Sequence, residues 1–250
     1  MILEDDMFMQ ITAYAHTSQG GRPVNEDTVK VWAGEKQGIF VVADGLGGHH
    51  KGDTASRMAA EAILGGLRQE MGPDGPSQET MGNVFQQANH TVLEGQKEEG
   101  HKDMMTTAVA LAIGHGKASW GYVGDSRLYH FSNGSLISVT KDHSLSFKKY
   151  LFGEISWEDI REDQDRSALL RAIGGEQRCL PGLAGPVEIS EGDAFLLCSD
   201  GFWEYLSTDE IKDSLFEAPS PEAWAKAMLA LWESRGNPNR DNASLITVFA

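Results

Sequence analysis

The sequence predicts an α+β fold in which strands and helices come in blocks rather than in alternation. Three observations predict it: strand-like runs before residue 44, two helix-periodic segments between 52 and 98, and a second block of strands from 106 whose end is interleaved with two more helices. A doubly wound parallel sheet would instead alternate strand and helix throughout. With 250 residues, 40% hydrophobic and 23% charged, residues 1–250 are expected to form one domain.

Taken in order, residues 9–15, 28–32 and 39–43 are rich in β-branched and aromatic side chains and read as strands. Ala55, Met58, Ala59, Ala62, Ile63 and Leu67 recur at helical spacing over residues 52–67, and a second helix is expected over about 78–98. The Gly/Pro-rich stretch 72–78 turns the chain between them, which predicts an antiparallel pair. Residues 106–113, 118–123, 127–131 and 136–139 follow as strands joined by turn signals and read as a meander. The polar, weakly periodic stretch from 141 to about 166 reads as an irregular insertion. Strands at 187–189, 194–198 and 244–249 and helices at 208–216 and 221–234 complete the chain.

The charge excludes some functions. Twenty-one basic against 37 acidic residues give a net charge of −16. Binding to a phosphate backbone needs a basic footprint, so no nucleic-acid partner is expected. No apolar run approaches the roughly 18 residues of a membrane span, and the acidic N-terminus is unlike a secretory signal. A cytoplasmic protein with no membrane partner is expected. Cys179 and Cys198 are too few for a disulfide framework, and Cys198 lies in an apolar run where a thiol acts as a small hydrophobe.

Most of the acid is solvated surface, as at Glu94, Glu98 and Glu99. Some carboxylates converge. Glu26-Asp27 precedes the strand 28–32 and Asp44 follows the returning strand 39–43, and in an antiparallel hairpin those two positions share one end. Asp200 follows strand 194–198 and Asp241 precedes strand 244–249, so they too share an end if those strands are antiparallel neighbours. Asp125 ends the strand 118–123. That the three ends coincide is the premise of a single site.

Five or six carboxylates at close range raise one another's pKa and resist ionisation. Hard divalent cations such as Mn²⁺ or Mg²⁺ remove that cost and prefer oxygen ligands. Two such ions can acidify a water and aim it at phosphorus, and Arg22, four residues before Glu26, is placed to clamp phosphate. Each feature has a plainer reading: Asp44-Gly45 and Asp200-Gly201 are also turn dipeptides, Arg22 an ordinary surface charge or ion-pair partner, and His49 and His50 turn residues. The dinucleotide fingerprint fails at His50, a Walker A loop fails at Asp53, and zinc spacings do not occur.

Six ordered segments carry a resemblance: Arg22-Pro-Val-Asn-Glu26-Asp27, Val42-Ala-Asp44-Gly45-Leu-Gly-Gly-His49, Thr106-Thr107, Gly124-Asp125-Ser126-Arg127, Cys198-Ser-Asp200-Gly201 and Asp241-Asn242. Together, over about residues 12–249, they resemble the metal-dependent (PPM, type 2C) protein serine/threonine phosphatases, in a bacterial-like form. The resemblance implies a four-layer α-β-β-α sandwich with two central antiparallel sheets flanked by helix pairs. It implies two core Mn²⁺ or Mg²⁺ ions bridged by Asp44, one also held by Glu26 and the Gly45 carbonyl, the other by Asp200 and Asp241. Asp27 would hold a metal-bound water, Asp125 would help bind a third, weaker ion, Arg22 would grip phosphate, and His49 would serve as acid. The insertion, about 141–169, corresponds to the family's flap. Met105 stands where many members carry glycine, and an acid often found after Gly174 is missing, but no implied ligand is lost.

The expected activity is metal-dependent hydrolysis of phosphoserine and phosphothreonine on proteins, by a monomer that opposes a Ser/Thr kinase in signalling. A catalytically silent phosphatase-like binding module is the alternative, and an enzyme for small phosphoesters is a third reading.

Overall fold

The side chains of the central strands sort by parity, and that sorting builds the layers. In the computed structural model, which describes residues 10–34, 36–46, 51–72 and 75–250, strands β1 (Thr12–Ser18), β2 (Asp27–Ala33) and β3 (Gln37–Leu46) precede helices α1 (Gly52–Glu70) and α2 (Gln78–Gly95). Then come β4 (Met105–Thr106), β5 (Ala108–Gly114), β6 (Lys117–Val123), β7 (Arg127–Ser132) and β8 (Ser135–Val139). Helix α3 (Leu145–Leu151), a 3₁₀ turn (Glu158–Arg161), β9 (Gly182–Glu188), β10 (Asp193–Cys198), α4 (Asp200–Trp203), α5 (Thr208–Phe216), α6 (Pro221–Ser234) and β11 (Ala243–Phe249) complete it.

One sheet runs β1-β11-β10-β7-β8 and the other β2-β3-β5-β6-β9, with every pair antiparallel. Successive strand residues face opposite ways. Along β5, Ala108, Ala110 and Ala112 pack with α1 and α2, while Val109, Leu111 and Ile113 pack against the other sheet. Along β10, Phe195 and Leu197 face that same interlayer, and Leu196 and Cys198 pack under α5 and α6. Helix pair, sheet, sheet and helix pair are therefore the four layers. Burial of an interlayer side chain such as Leu111 or Phe195 contributes about 1.5–3 kcal/mol.

Two sequence expectations change. The four strands read as one meander divide between the sheets: β5 and β6 pair in one, β7 and β8 in the other. The crossing is made at Gly124-Asp125-Ser126, where Gly124 has φ +99°, a backbone state glycine adopts without penalty. The insertion expected to be irregular holds α3, capped by the Ser144 hydroxyl accepting from the Phe147 N–H. Two helical turns are too short for a hydrophobic period to be read from sequence. Its base is stitched by Leu145 N donating to Ala168 O at 2.9 Å and Leu170 N to His143 O at 2.7 Å.

Among the described residues no helix is long and apolar enough to cross a membrane.

Candidate metal centre

The hairpin β2-β3 sets Asp27 directly opposite Asp44 in register. In the other sheet, β10 and β11 are antiparallel neighbours with Cys198 opposite Leu245, so Asp200 and Asp241 leave the same end of that pair. Asp125 sits at the crossing between the sheets. The expected coincidence of ends is what the structure contains: burial and the charges of Asp27, Asp200 and Asp125 together push the Asp44 carboxyl well above the ordinary carboxylate range. Asp125 is raised in the same way by burial and then Asp200, and Asp200 by burial and then Asp241.

Each acid is held by neighbours that the sequence did not single out for that work. The Asp44 carbonyl accepts from Thr107 N at 2.8 Å and Thr106 Oγ1 at 2.7 Å, while Thr107 Oγ1 shares a 2.7 Å hydrogen bond with Ser126 Oγ beside Asp125. Ser199 Oγ donates to Asp27 Oδ2 at 2.8 Å. Burial lifts Asp27 to about 7 against the pull of Ser244 and Ser199. Asn242 Oδ1 accepts from Glu26 N at 2.8 Å, and its Nδ2 donates to Gln19 O and Val24 O, which fixes the loop carrying Arg22 and Glu26. Glu26 Oε1 accepts from Gly52 N at 3.2 Å. Helix α1 has no side-chain cap of its own, so Glu26 supplies the acceptor and the negative charge that a helix start favours.

The glycines after Asp44 and Asp200 are not there to turn the chain. Gly45 lies within β3, and a Cβ on it would come 2.2 Å from Gly52 O and 2.7 Å from Glu26 O. A Cβ on Gly201 would come 2.0 Å from Asn242 O. Both glycines permit backbones to close around the acids. Gly45→Ala is expected to lose most activity and to unfold at lower denaturant than the parent, because the β3, α1 and Glu26 backbones must part to admit the methyl. Parallel urea melts and turnover assays check this, and parental values in both would refute it.

Arg22 is half exposed and donates from Nη2 to Asp241 Oδ2 at 2.5 Å. It is thus both the ion-pair partner and the surface cation of the plainer reading, yet it stands at the mouth of the acid cluster. His49 lies outside the described residues.

The donor set fits hard divalent cations. It is all oxygen, it is crowded with like charges, and Asp27 Oδ1 is buried with no hydrogen-bond partner. Among the described residues no three such side chains stand in finished ligating geometry.

Three further groups stand at the rim; Arg127 closes one of the resemblance segments without a role assigned to it, and Glu204 and His143 had no sequence signal. Glu204 is lifted to about 7 by burial and then Asp200, and Arg166 Nε, from the insertion, donates to its Oε1 at 2.7 Å. His143 is pushed down to about 4 by burial and then Arg171, so it is neutral, and its Nδ1 accepts from Gly124 N at 3.2 Å. Arg127 is buried between Trp203 and Trp157, 3.5 and 4.7 Å from their ring centres. It donates from Nε and Nη2 to Asp142 at 3.0 and 2.7 Å. Trp203 Nε1 donates to the Asp125 carbonyl at 3.0 Å, so this stack joins the base of the insertion to the site. These contacts arise only from tertiary packing.

A family model described as Protein phosphatase 2C matches residues 14–246. The chain is 32% identical over 229 residues to the serine/threonine phosphatase stp of Listeria welshimeri, covering 90% of this chain and 89% of that protein. It is similar to the Mycobacterium tuberculosis serine/threonine phosphatase PstP/Ppp, with TM-score 0.83, 28% identity, and 96% and 99% of the two chains covered. It is also similar to a catalytic domain of the serine/threonine protein phosphatase PstP solved in complex with two manganese ions, with TM-score 0.79, 26% identity, and 96% and 98% covered.

Proposed function

Because the chain belongs to the protein phosphatase 2C family, we propose that it hydrolyses phosphoserine and phosphothreonine on proteins, using divalent ions held by the acid cluster. The observation that carries this reading is the gathering of Glu26, Asp27, Asp44, Asp125, Asp200 and Asp241 from both sheets at one end of the sandwich. Asp44, Glu26 and Gly45 would hold one ion, Asp44, Asp200 and Asp241 the second, and Asp125 would serve a third, weaker one, with Mn²⁺ or Mg²⁺ as the metal. The chemistry such ions supply when bound is acidification of a water nucleophile and neutralisation of phosphoryl charge.

The chain's own groups do the rest. Asp27 is anchored by Ser199 on one oxygen, and its unpartnered Oδ1 would be free to orient a water by a hydrogen bond once ions are bound. Arg22 spends Nη2 on Asp241 and keeps other guanidinium donors for the phosphoryl oxygens, which also prefer a planar fork. We assign His49 the role of proton donor to the leaving oxygen. We take the protein to be a cytoplasmic monomer that acts in signalling against a Ser/Thr kinase. Both cysteines are free and buried, in keeping with a reducing compartment.

The test is phosphate release from a phosphothreonine peptide with Mn²⁺, with EDTA, and with Mn²⁺ and the Asp200→Asn protein. Turnover in the first case alone is the expected result. An intact, Mn²⁺-loaded protein that leaves both phosphopeptides and an aryl phosphate untouched would sink the reading in favour of a silent binding module.

A further inference from the structure

Beside the acid cluster lies a groove whose charge is opposite to that of the molecule as a whole. It consists of two adjoining cavities of about 320 and 230 Å³ that share Leu170 and Arg171. Lys141 and Lys148 line the first, and Arg178 and Leu180 the second. Its inner end reaches the site, because Tyr122 and His143 form its floor, stacked 5.2 Å apart, and His143 N donates to the Gly124 carbonyl next to Asp125.

About half of the lysines and arginines are matched by carboxylates among the described residues. Lys149, adjacent to the groove, pairs with Asp163 at 2.9 Å and Asp165 at 2.6 Å. Among the described residues Lys141, Lys148 and Arg178 have no such partner, although all three are exposed. Arg171 bonds only neutral acceptors, the Leu180 carbonyl and the His143 ring. Of the two acids on the lining, Asp142 is taken by Arg127, which leaves Glu176 at the far end. Apolar surface accompanies the charge: Leu151, Leu170 and Leu180 are 64%, 54% and 46% exposed, and leucines so exposed beside a groove mark a contact surface.

Resting on the phosphatase reading, we infer that this groove docks an anionic, leucine-compatible segment of the substrate protein next to its phosphoresidue. Four cations without acid partners complement glutamate, aspartate or a second phosphate, and the exposed leucines take apolar side chains between them. An anionic bilayer fits less well, since the −16 chain would be repelled from it.

The Lys148→Glu/Arg178→Glu protein tests this, because neither side chain supports the fold or touches the acid cluster. Four probes are used: p-nitrophenyl phosphate, a phosphothreonine peptide flanked by glutamates, the same peptide with glutamines, and phosphatidylglycerol vesicles. The parent should favour the acidic peptide by about tenfold in kcat/KM at low salt, and the variant should lose that preference through KM. Aryl phosphate turnover should agree within about twofold between the two proteins, as befits a remote docking site. A parent without the preference, or a variant that keeps it, would overturn the groove while leaving the phosphatase reading intact. Failure of the parent on both peptides and on aryl phosphate would instead remove that reading and the groove with it. Unchanged peptide preference with loss of sedimentation on phosphatidylglycerol vesicles would assign the groove to lipid and also overturn the inference.

Discussion

The Asp44→Asn protein is expected to lose at least about 10³-fold in turnover with Mn²⁺ and yet, in EDTA, to be more stable than its parent. The activity loss follows from removing the acid proposed to serve both core ions. The gain in stability follows from the repulsion that burial and Asp27, Asp200 and Asp125 impose on that carboxyl. An amide of the same shape carries no charge to repel. Urea unfolding in EDTA and in Mn²⁺ separates the two effects: the variant should melt later than the parent in EDTA and respond less to Mn²⁺. Equal or lower stability of the variant in EDTA would show that repulsion does not dominate.

The same repulsion fixes a pH dependence. Asp27 and Glu204 are each lifted to about 7 in the fold, against ordinary values near 4 in the unfolded chain. Between about pH 4 and 7 these two acids bind more protons in the folded protein than in the unfolded one, outweighing the opposing group His143, held at about 4, and stability falls as pH rises. Their contribution is fully present below the unfolded values and lost once pH passes 7. Surface acids with depressed values, Asp163 and Glu210 at about 2, are ionised in both states over most of that window and leave the slope nearly unchanged. The metal-free protein should be more stable at pH 5.5 than at pH 7.5, and Mn²⁺ should reverse the order. Chemical melts at the two values decide it.

Arg127→Met is expected to cost about 3–5 kcal/mol of stability. Burial opposes the charge of Arg127, but Asp142 outweighs it and holds the guanidinium above its ordinary pKa. Removing the cation strands the Asp142 carboxylate in a buried site and unstacks Trp203 and Trp157. A second change, Asp142→Asn, should restore part of the loss, because the uncompensated charge goes. A double-mutant cycle by urea denaturation measures this, and additivity of the two losses would refute the account. Since Trp203 also holds the Asp125 carbonyl, Arg127→Met should weaken Mn²⁺ activation in whatever fraction remains folded.

What could be read from the sequence was what is local or paired by a hairpin. Helices α5 and α6 fall where their periodicity places them, α5 starting on a full Ser207/Glu210 capping box and α6 on Ser220 with proline next. The Asp27–Asp44 pairing follows from strand ends alone. The division of four strands between two sheets was not readable, because Gly124-Asp125-Ser126 carries the same turn chemistry whether the chain returns to its own sheet or crosses to the other. Residues that bear on the site through packing, such as His143 and Glu204, announce nothing in one dimension, and Arg127 is visible only as the end of a motif segment, without its role. Their neighbours lie at separations such as the 78 positions between Asp125 and Trp203.

The acids come from two different sheets, Glu26 and Asp27 from one and Asp200 and Asp241 from the other, and they are already sewn across that seam by Ser199 to Asp27 and Asn242 to Glu26. The site is therefore a gauge of how the halves of the sandwich sit. A cavity cut into the interlayer at Leu111 or Phe195 would let the halves drift and would be felt first as slack in the ions' grip.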